Sequence, residues 1–213
     1  MAKIFNLNLS LIPCPRASQK KVEVLSHQEV KNIIDYMENH ESYKNIGIYI
    51  GLYTGMRVGE ICALKWEDVD MLQHKIYVNK TMQRIYVEKK KTKVVILKPK
   101  SDNSIREMPI STILNNILVK NYQNQGYVLT GTSKYIEPRC LQKYFQKLTS
   151  ELGCSKNNFH ILRHTFATQC IECGVDIKSL SEILGHASVS MTLNKYVHSS
   201  FDTKTRQIKK LSY

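Results

Sequence analysis

The chain has no apolar run approaching the ~18 residues that a membrane-spanning helix needs, and no signal peptide stands at its start. Neither a helical membrane protein nor an exported one is expected. Cysteine gives no framework either. The six cysteines, at positions 14, 62, 140, 154, 170 and 173, are scattered, so reduced thiols in a cytoplasmic protein are expected. Cys170-x-x-Cys173 has the spacing of a redox or metal pair, but it falls in a helical run with no second pair elsewhere, and reads as buried packing. There is no internal repeat and no low-complexity tract. No trio of carboxylates stands out, which removes the acidic cluster that metal-dependent nucleases and transposases require. The 213 residues fit one ordinary domain, or one domain plus an arm.

Negative charge is scarce: 18 Asp+Glu face 31 Lys+Arg, a net +13. Such a balance attracts polyanions, nucleic acid first among them, although a basic enzyme with a solvated surface has the same composition. About half of the excess lies between Lys80 and Lys100, with eight positive residues and only Glu88 negative. Lys89, Lys90 and Lys91 sit between two strand-like runs, with Lys93 just inside the second, which predicts a lysine-tipped hairpin. It either lies on a phosphate backbone or is a solvated edge that discourages sheet pairing.

Residues 1–21, with Pro13 and Pro15, show no stable period and read as a linker or extended arm. Ser26-His27-Gln28-Glu29 has the spacing of a capping box, and Val30, Ile33, Ile34 and Met37 continue it as a helix. Ile46 to Tyr53 reads as a buried helix broken by Thr54-Gly55, and Val58 to Leu64 resumes. Arg57 then stands at a helix start, where free N–H groups and the positive dipole end suit phosphate. Residues 75–78, 92–97 and 105–110 read as three strands of one antiparallel sheet. Helices follow over about 112–123, 138–151, 158–173, 176–184, 188–196 and 202–210, with Pro138 early in its helix and Gly153 and Gly174 as stops.

Scattered through this frame are residues that together suit a phosphodiester. Arg57 and Arg163 offer paired, permanently protonated donors for the two oxygens on which transition-state charge concentrates. A tyrosine needs a base or strongly positive surroundings to attack, and His160 and His186 can supply either. Lys100, on the turn between the second and third strands, is either a general acid for a leaving oxygen or a solvated hairpin lysine. His164, at i+4 from His160, invites a zinc reading, but no His-Glu-x-x-His pattern and no third ligand accompany it. Tyr196, ten residues after His186, is either a nucleophile or one core tyrosine among twelve.

Thr-Gly-Met-Arg57-Val-Gly-Glu60, His160-Ile-Leu-Arg163-His164-Thr-Phe-Ala-Thr, and Leu-Gly-His186 followed by Thr192 and Tyr196-Val-His198 resemble the tyrosine recombinases, or phage integrase family. The likeness is greatest to integrases of bacterial phages and conjugative transposons and spans about Val22 to His198. It implies an α+β, mainly helical catalytic domain over 22–213, of the DNA breaking-rejoining fold with a small three-stranded antiparallel sheet, ending in a tail helix at 201–213. By matching positions, Arg57 and Arg163 clamp the phosphate, His160 is the acid–base histidine and His186 bonds the phosphate. Lys100, with Lys98 close by, is the mobile general acid, Tyr196 the nucleophile and Glu60 a supporting residue. The implied activity is metal-independent cleavage and rejoining of double-stranded DNA through a 3′-phosphotyrosine, without cofactor, for integration or excision of a mobile element. The implied partners are DNA, further protomers through the tail, and accessory DNA-bending or excision factors, in a nucleoid-associated bacterial setting. A topoisomerase IB-like enzyme and a DNA-binding module without catalysis are the alternatives. Relatives usually carry an amino-terminal core-binding domain, which this sequence does not display, so a catalytic domain alone is expected.

Overall fold

The computed structural model describes residues 22–88, 91–98, 104–196 and 208–209. The first helix, α1 (His27–Asn39), starts as its sequence dictates. The Ser26 hydroxyl accepts from the Glu29 N–H at 3.2 Å, and the Glu29 carboxylate accepts from the Ser26 N–H at 2.8 Å. Two free N–H groups at the helix start are thereby satisfied. The same carboxylate accepts from the Ser155 N–H at 2.8 Å, tying α1 to a distant turn.

Helix α2 (Asn45–Thr54) is apolar almost all round, with Ile46, Ile48, Ile50 and Leu52 buried, and such a helix belongs in the middle of a core. It stops at Gly55, whose φ of 65° lies in the left-handed region. A Cβ there would also stand 2.6 Å from the Phe166 ring, so glycine is needed twice over. Helix α3 (Val58–Ala63) follows at once.

Five strands come next: β1 (Val69–Asp70), β2 (Lys75–Val78), β3 (Thr81–Glu88), β4 (Lys91–Leu97) and β5 (Arg106–Pro109). They form two sheets, β1-β2-β5 and a β3-β4 ribbon, all antiparallel. The strand membership expected from the sequence needs correcting here. Residues 92–97 do not join 75–78 and 105–110; they pair with β3, and the third strand of the sheet is the two-residue β1. Local closure decides this, because Glu88 pairs with Lys91 and the hairpin zips back from there. Strand β3 is hard to see in the sequence because only Met82 in it is buried, so no face alternates clearly. The hairpin itself is as expected, and its Lys89 and Lys90 lie outside the described residues.

The elements that follow among the described residues are helices: α4 (Thr112–Lys120), α5 (Pro138–Glu151), α6 (His160–Glu172), α7 (Ile177–Leu184) and α8 (Val189–Tyr196). A main core joins α1 to α5 and the sheet through residues such as Ile48, Ile61, Met108, Leu141 and Phe145. A smaller cluster of Ala167, Leu180, Leu184 and Tyr196 holds α6, α7 and α8 together. Helix α6 belongs to both, with Ile161 and Leu162 in the first and Ala167 in the second. Cys170 packs beside the smaller cluster but Cys173 is exposed, so the expectation of two buried cysteines holds for neither fully. Residues 1–21, and the expected tail helix apart from 208–209, lie outside the described residues. No described helix is long and apolar enough to cross a membrane.

Candidate active site

The site is organised by the end of α7. The last carbonyls of any α-helix lack partners within it, and here three guanidiniums take them in turn. Arg106 Nε donates to the Ile183 carbonyl at 2.6 Å, Arg163 Nη2 to Leu184 at 2.7 Å and Arg57 Nη2 to Gly185 at 3.1 Å. Cations also suit the negative end of the helix dipole. Gly185, at φ 63°, turns the chain sharply enough to present His186 next to these arginines. Arg163 makes a second bond, Nη1 to the Gly55 carbonyl at 2.9 Å, so the turn after α2 is fastened to the same point.

Glu60 holds two of the three arginines. It is 3% exposed and accepts from Arg57 Nη1 at 2.8 Å and Arg106 Nη2 at 2.9 Å. It also takes the Arg57 N–H at 3.0 Å. The start of α3, expected from the sequence to offer free N–H groups to a phosphate, thus gives this one to a carboxylate of its own helix. Burial alone would raise the Glu60 pKa, but Arg106 and Arg57 outweigh it and hold the carboxyl below its ordinary range.

Tyr196 closes the site from α8. Its side chain is packed into the smaller core, and its hydroxyl lies 2.8 Å from Nδ1 of His164. The charge of Arg163 bears on the same hydroxyl. The His186 ring stacks parallel to the phenol, 6.4 Å between centroids and 6° between planes, and its Nδ1 bonds the Thr192 hydroxyl at 2.8 Å. His160 meets His164 edge to face at 4.6 Å. A groove of about 620 Å³ opens beside these two histidines, lined also by Glu23, Lys156 and Asn158.

The electrostatics follow from crowding. Loss of water, then the charges of Arg163, Lys195 and Arg57, lowers His160 to about 4, although its side chain keeps solvent access. Loss of water, then Arg163 and Arg57, likewise lowers His186 to about 4. His164 falls to about 3, through burial and then Lys195, His160, Arg163 and His186. Burial raises Tyr196 above its ordinary value, while Arg163 and Arg57 pull the other way. Without a bound anion the three imidazoles are therefore neutral at pH 7. A phosphodiester, by adding negative charge, would reverse part of this shift.

Five of the residues singled out in the sequence, Arg57, His160, Arg163, His186 and Tyr196, converge here, with Glu60 behind them. Lys100 lies outside the described residues. Lys91 and Lys93 are exposed on the β3-β4 hairpin. Three residues of the site are not legible as such in the sequence. His164 suggests only a zinc ligand there, although its place one turn from His160 puts it on the same face. Arg106 and Lys195 carry no local signal, since one is a single arginine in a short strand and the other a lysine on a mainly exposed helix face.

The sequence matches the phage integrase family over residues 23–203. The chain belongs to that family. Among its relatives is a tyrosine recombinase XerC-like protein of Caldanaerobacter subterraneus subsp. tengcongensis, 31% identical over 91% of this chain and 55% of the relative. The transposase from transposon Tn916 of Enterococcus faecalis is 27% identical over 89% of this chain and 51% of its own length. The chain thus spans little more than half of either phage-integrase relative. Among solved structures, the Tn1549 transposon integrase in complex with transposon right end DNA superposes with a TM-score of 0.76. It is 21% identical, over 91% of this chain and 67% of that one, which establishes the fold. The XerA recombinase gives a TM-score of 0.67 at 25% identity, over 98% and 70%.

Proposed function

We propose that residues 22–213 form the catalytic domain of a site-specific DNA recombinase, preceded by a linker at 1–21. The domain cleaves and rejoins double-stranded DNA through a 3′-phosphotyrosine on Tyr196, to integrate or excise a mobile element. The observation that carries this reading is the convergence of Tyr196, Arg163, Arg57 and three histidines from four separate stretches of chain onto one point. A binding module has no need of a buried phenol fixed between a guanidinium and neutral imidazoles, so the arrangement favours chemistry. The relatives, which are recombinases and transposon enzymes by name, support exchange between sites over simple relaxation of supercoils.

In this reading Arg57 and Arg163 stabilise the two non-bridging oxygens, and His186 and His160 add donors as the bound anion raises their pKa values. These positive groups do the work that a divalent ion would otherwise do, and no cofactor takes part. The test is direct: incubated with nicked DNA from the region flanking its gene, the chain forms a covalent adduct in the presence of EDTA. Cleavage abolished by EDTA and restored by magnesium counts against the whole reading.

The leaving 5′ oxygen needs a proton, assigned to Lys100. A 5′-phosphorothiolate substrate has a sulfur leaving group that hardly needs one. Lys100→Ala is expected to cleave ordinary DNA poorly and the sulfur substrate almost normally. Equal defects on both move the role elsewhere, with Lys98 next in line.

The hairpin lysines Lys89, Lys90, Lys91 and Lys93 are assigned to the phosphate backbone. Neutralising a lysine that pairs with a phosphate flattens the salt dependence of binding by about 0.9 log units. An unchanged slope reduces the hairpin to a solvated edge. Further protomers reached through the tail, accessory DNA-bending or excision factors, and a nucleoid-associated bacterial setting belong to the same proposal. Equilibrium sedimentation of the chain with and without a two-site duplex tests the protomer contact.

A further inference from the structure

The nucleophile proposed above is hydrogen-bonded to a histidine that none of its assigned partners includes. Tyr196 Oη lies 2.8 Å from His164 Nδ1. The positive charge of Arg163 bears on the same phenol and pulls its pKa down against burial. A neighbouring cation favours the lone pairs of the phenol oxygen on its own side, and in the tautomer that carries its proton on Nε2 the His164 Nδ1 can only accept, so the phenol proton then points at the imidazole. Resting on the recombinase reading, we propose that His164 is a catalytic residue that accepts the Tyr196 proton during attack on phosphorus and returns it on religation.

The geometry favours His164 over its neighbour. His160 touches the His164 ring edge to face, whereas the bond to the phenol belongs to His164. The groups that bear on His164 are His160 and Arg163 on α6, His186 in the turn after α7, and Lys195 on α8. Together with burial they lower it to about 3, so the ring is neutral and able to accept at any pH near 7. A phenol whose pKa burial has raised does not surrender its proton to such a base at rest. Its acidity rises steeply as the oxygen bonds to phosphorus, and a base between those extremes serves a transfer concerted with attack.

The step balances. The Oη–P bond forms as the P–O5′ bond breaks, the phenol proton moves to Nδ1, and the 5′ oxygen takes a proton from the general acid assigned to Lys100. Religation runs every transfer backwards.

Single-turnover adduct formation on nicked duplexes from the DNA flanking the gene, followed between about pH 6 and pH 9, tests it. The wild-type rate is expected to change little across that range. His164→Leu is expected to be slower by about 10²-fold at pH 7 and to gain about tenfold per pH unit, because phenolate must then form without a base. His164→Asn, which accepts a hydrogen bond but cannot take a proton, stays with the leucine variant. Each substitution made in Tyr196→Phe should leave DNA affinity as in Tyr196→Phe alone, which reports folding. If the leucine variant does not fold, the polar asparagine variant carries the test by itself. A wild-type rate and profile in the folded leucine variant, or in the asparagine variant, overturns the role while the recombinase reading stands. A wild-type chain that forms no adduct overturns both.

Discussion

Tyr196→Phe is expected to abolish the covalent protein–DNA adduct while leaving DNA affinity about equal. The substitution removes one oxygen, and with it the only atom proposed to bond phosphorus. The phenyl ring keeps its place against Ala167, Leu180 and Leu184. The cost to folding is about 1 kcal/mol, the usual worth of a hydrogen bond to a buried hydroxyl. Arg163 still has the Gly55 and Leu184 carbonyls, so it is not left bare. Peptide mapping of a trapped wild-type complex should place the nucleotide on the fragment carrying Tyr196. An adduct that persists in the phenylalanine variant, or maps to Tyr53 or Tyr213, removes Tyr196 from the role.

The second large effect concerns Glu60, which touches no DNA in this scheme. Among the described residues it is the carboxylate that pairs with both Arg57 and Arg106, and the Arg106 side chain is 7% exposed. Removing one partner of a buried ion pair leaves the other charge uncompensated, at about 3 kcal/mol or more. Glu60→Ala should lower the unfolding free energy by about that amount and slow adduct formation, since Arg57 loses the group that orients it. A urea melt within about 0.5 kcal/mol of wild type would show that the arginines need no counter-charge. The pH dependence has a definite sign. The folded pKa of Glu60 is depressed. Its contribution is therefore complete above the unfolded value, about 4.3, and lost as pH falls through the folded one. Glu60→Gln should remove that part of the acid destabilisation.

Most of the helices are legible in the sequence because each has a local cause. The capping box at Ser26, the apolar run before Gly55, Pro138 at the head of α5 and Gly185 at the end of α7 act within a few residues of where they stand. The strands are less so. A two-residue strand such as Val69–Asp70 has no periodicity to show, and β3 is mostly solvent-facing, so neither has a buried face that selects its residues.

The division is the same at the site. Arg57, His160, Arg163, His186 and Tyr196 stand in short ordered motifs, whose residue types and spacing the sequence holds by itself, and the basic hairpin is equally local. What those motifs do not contain is the partner of each side chain. That Arg106, Arg163 and Arg57 cap the last two carbonyls of α7 and that of Gly185 just after it, that Glu60 joins two of them, and that His164 rather than His160 bonds the phenol are facts about contacts. Those contacts span 128 residues between Arg57 and Gly185 and 32 between His164 and Tyr196. Only tertiary packing, of α6, α7 and α8 around the small core and of β5 and the start of α3 against the end of α7, sets which of them form, because hydrogen bonds and pKa shifts act over a few ångströms in space and are blind to distance along the chain.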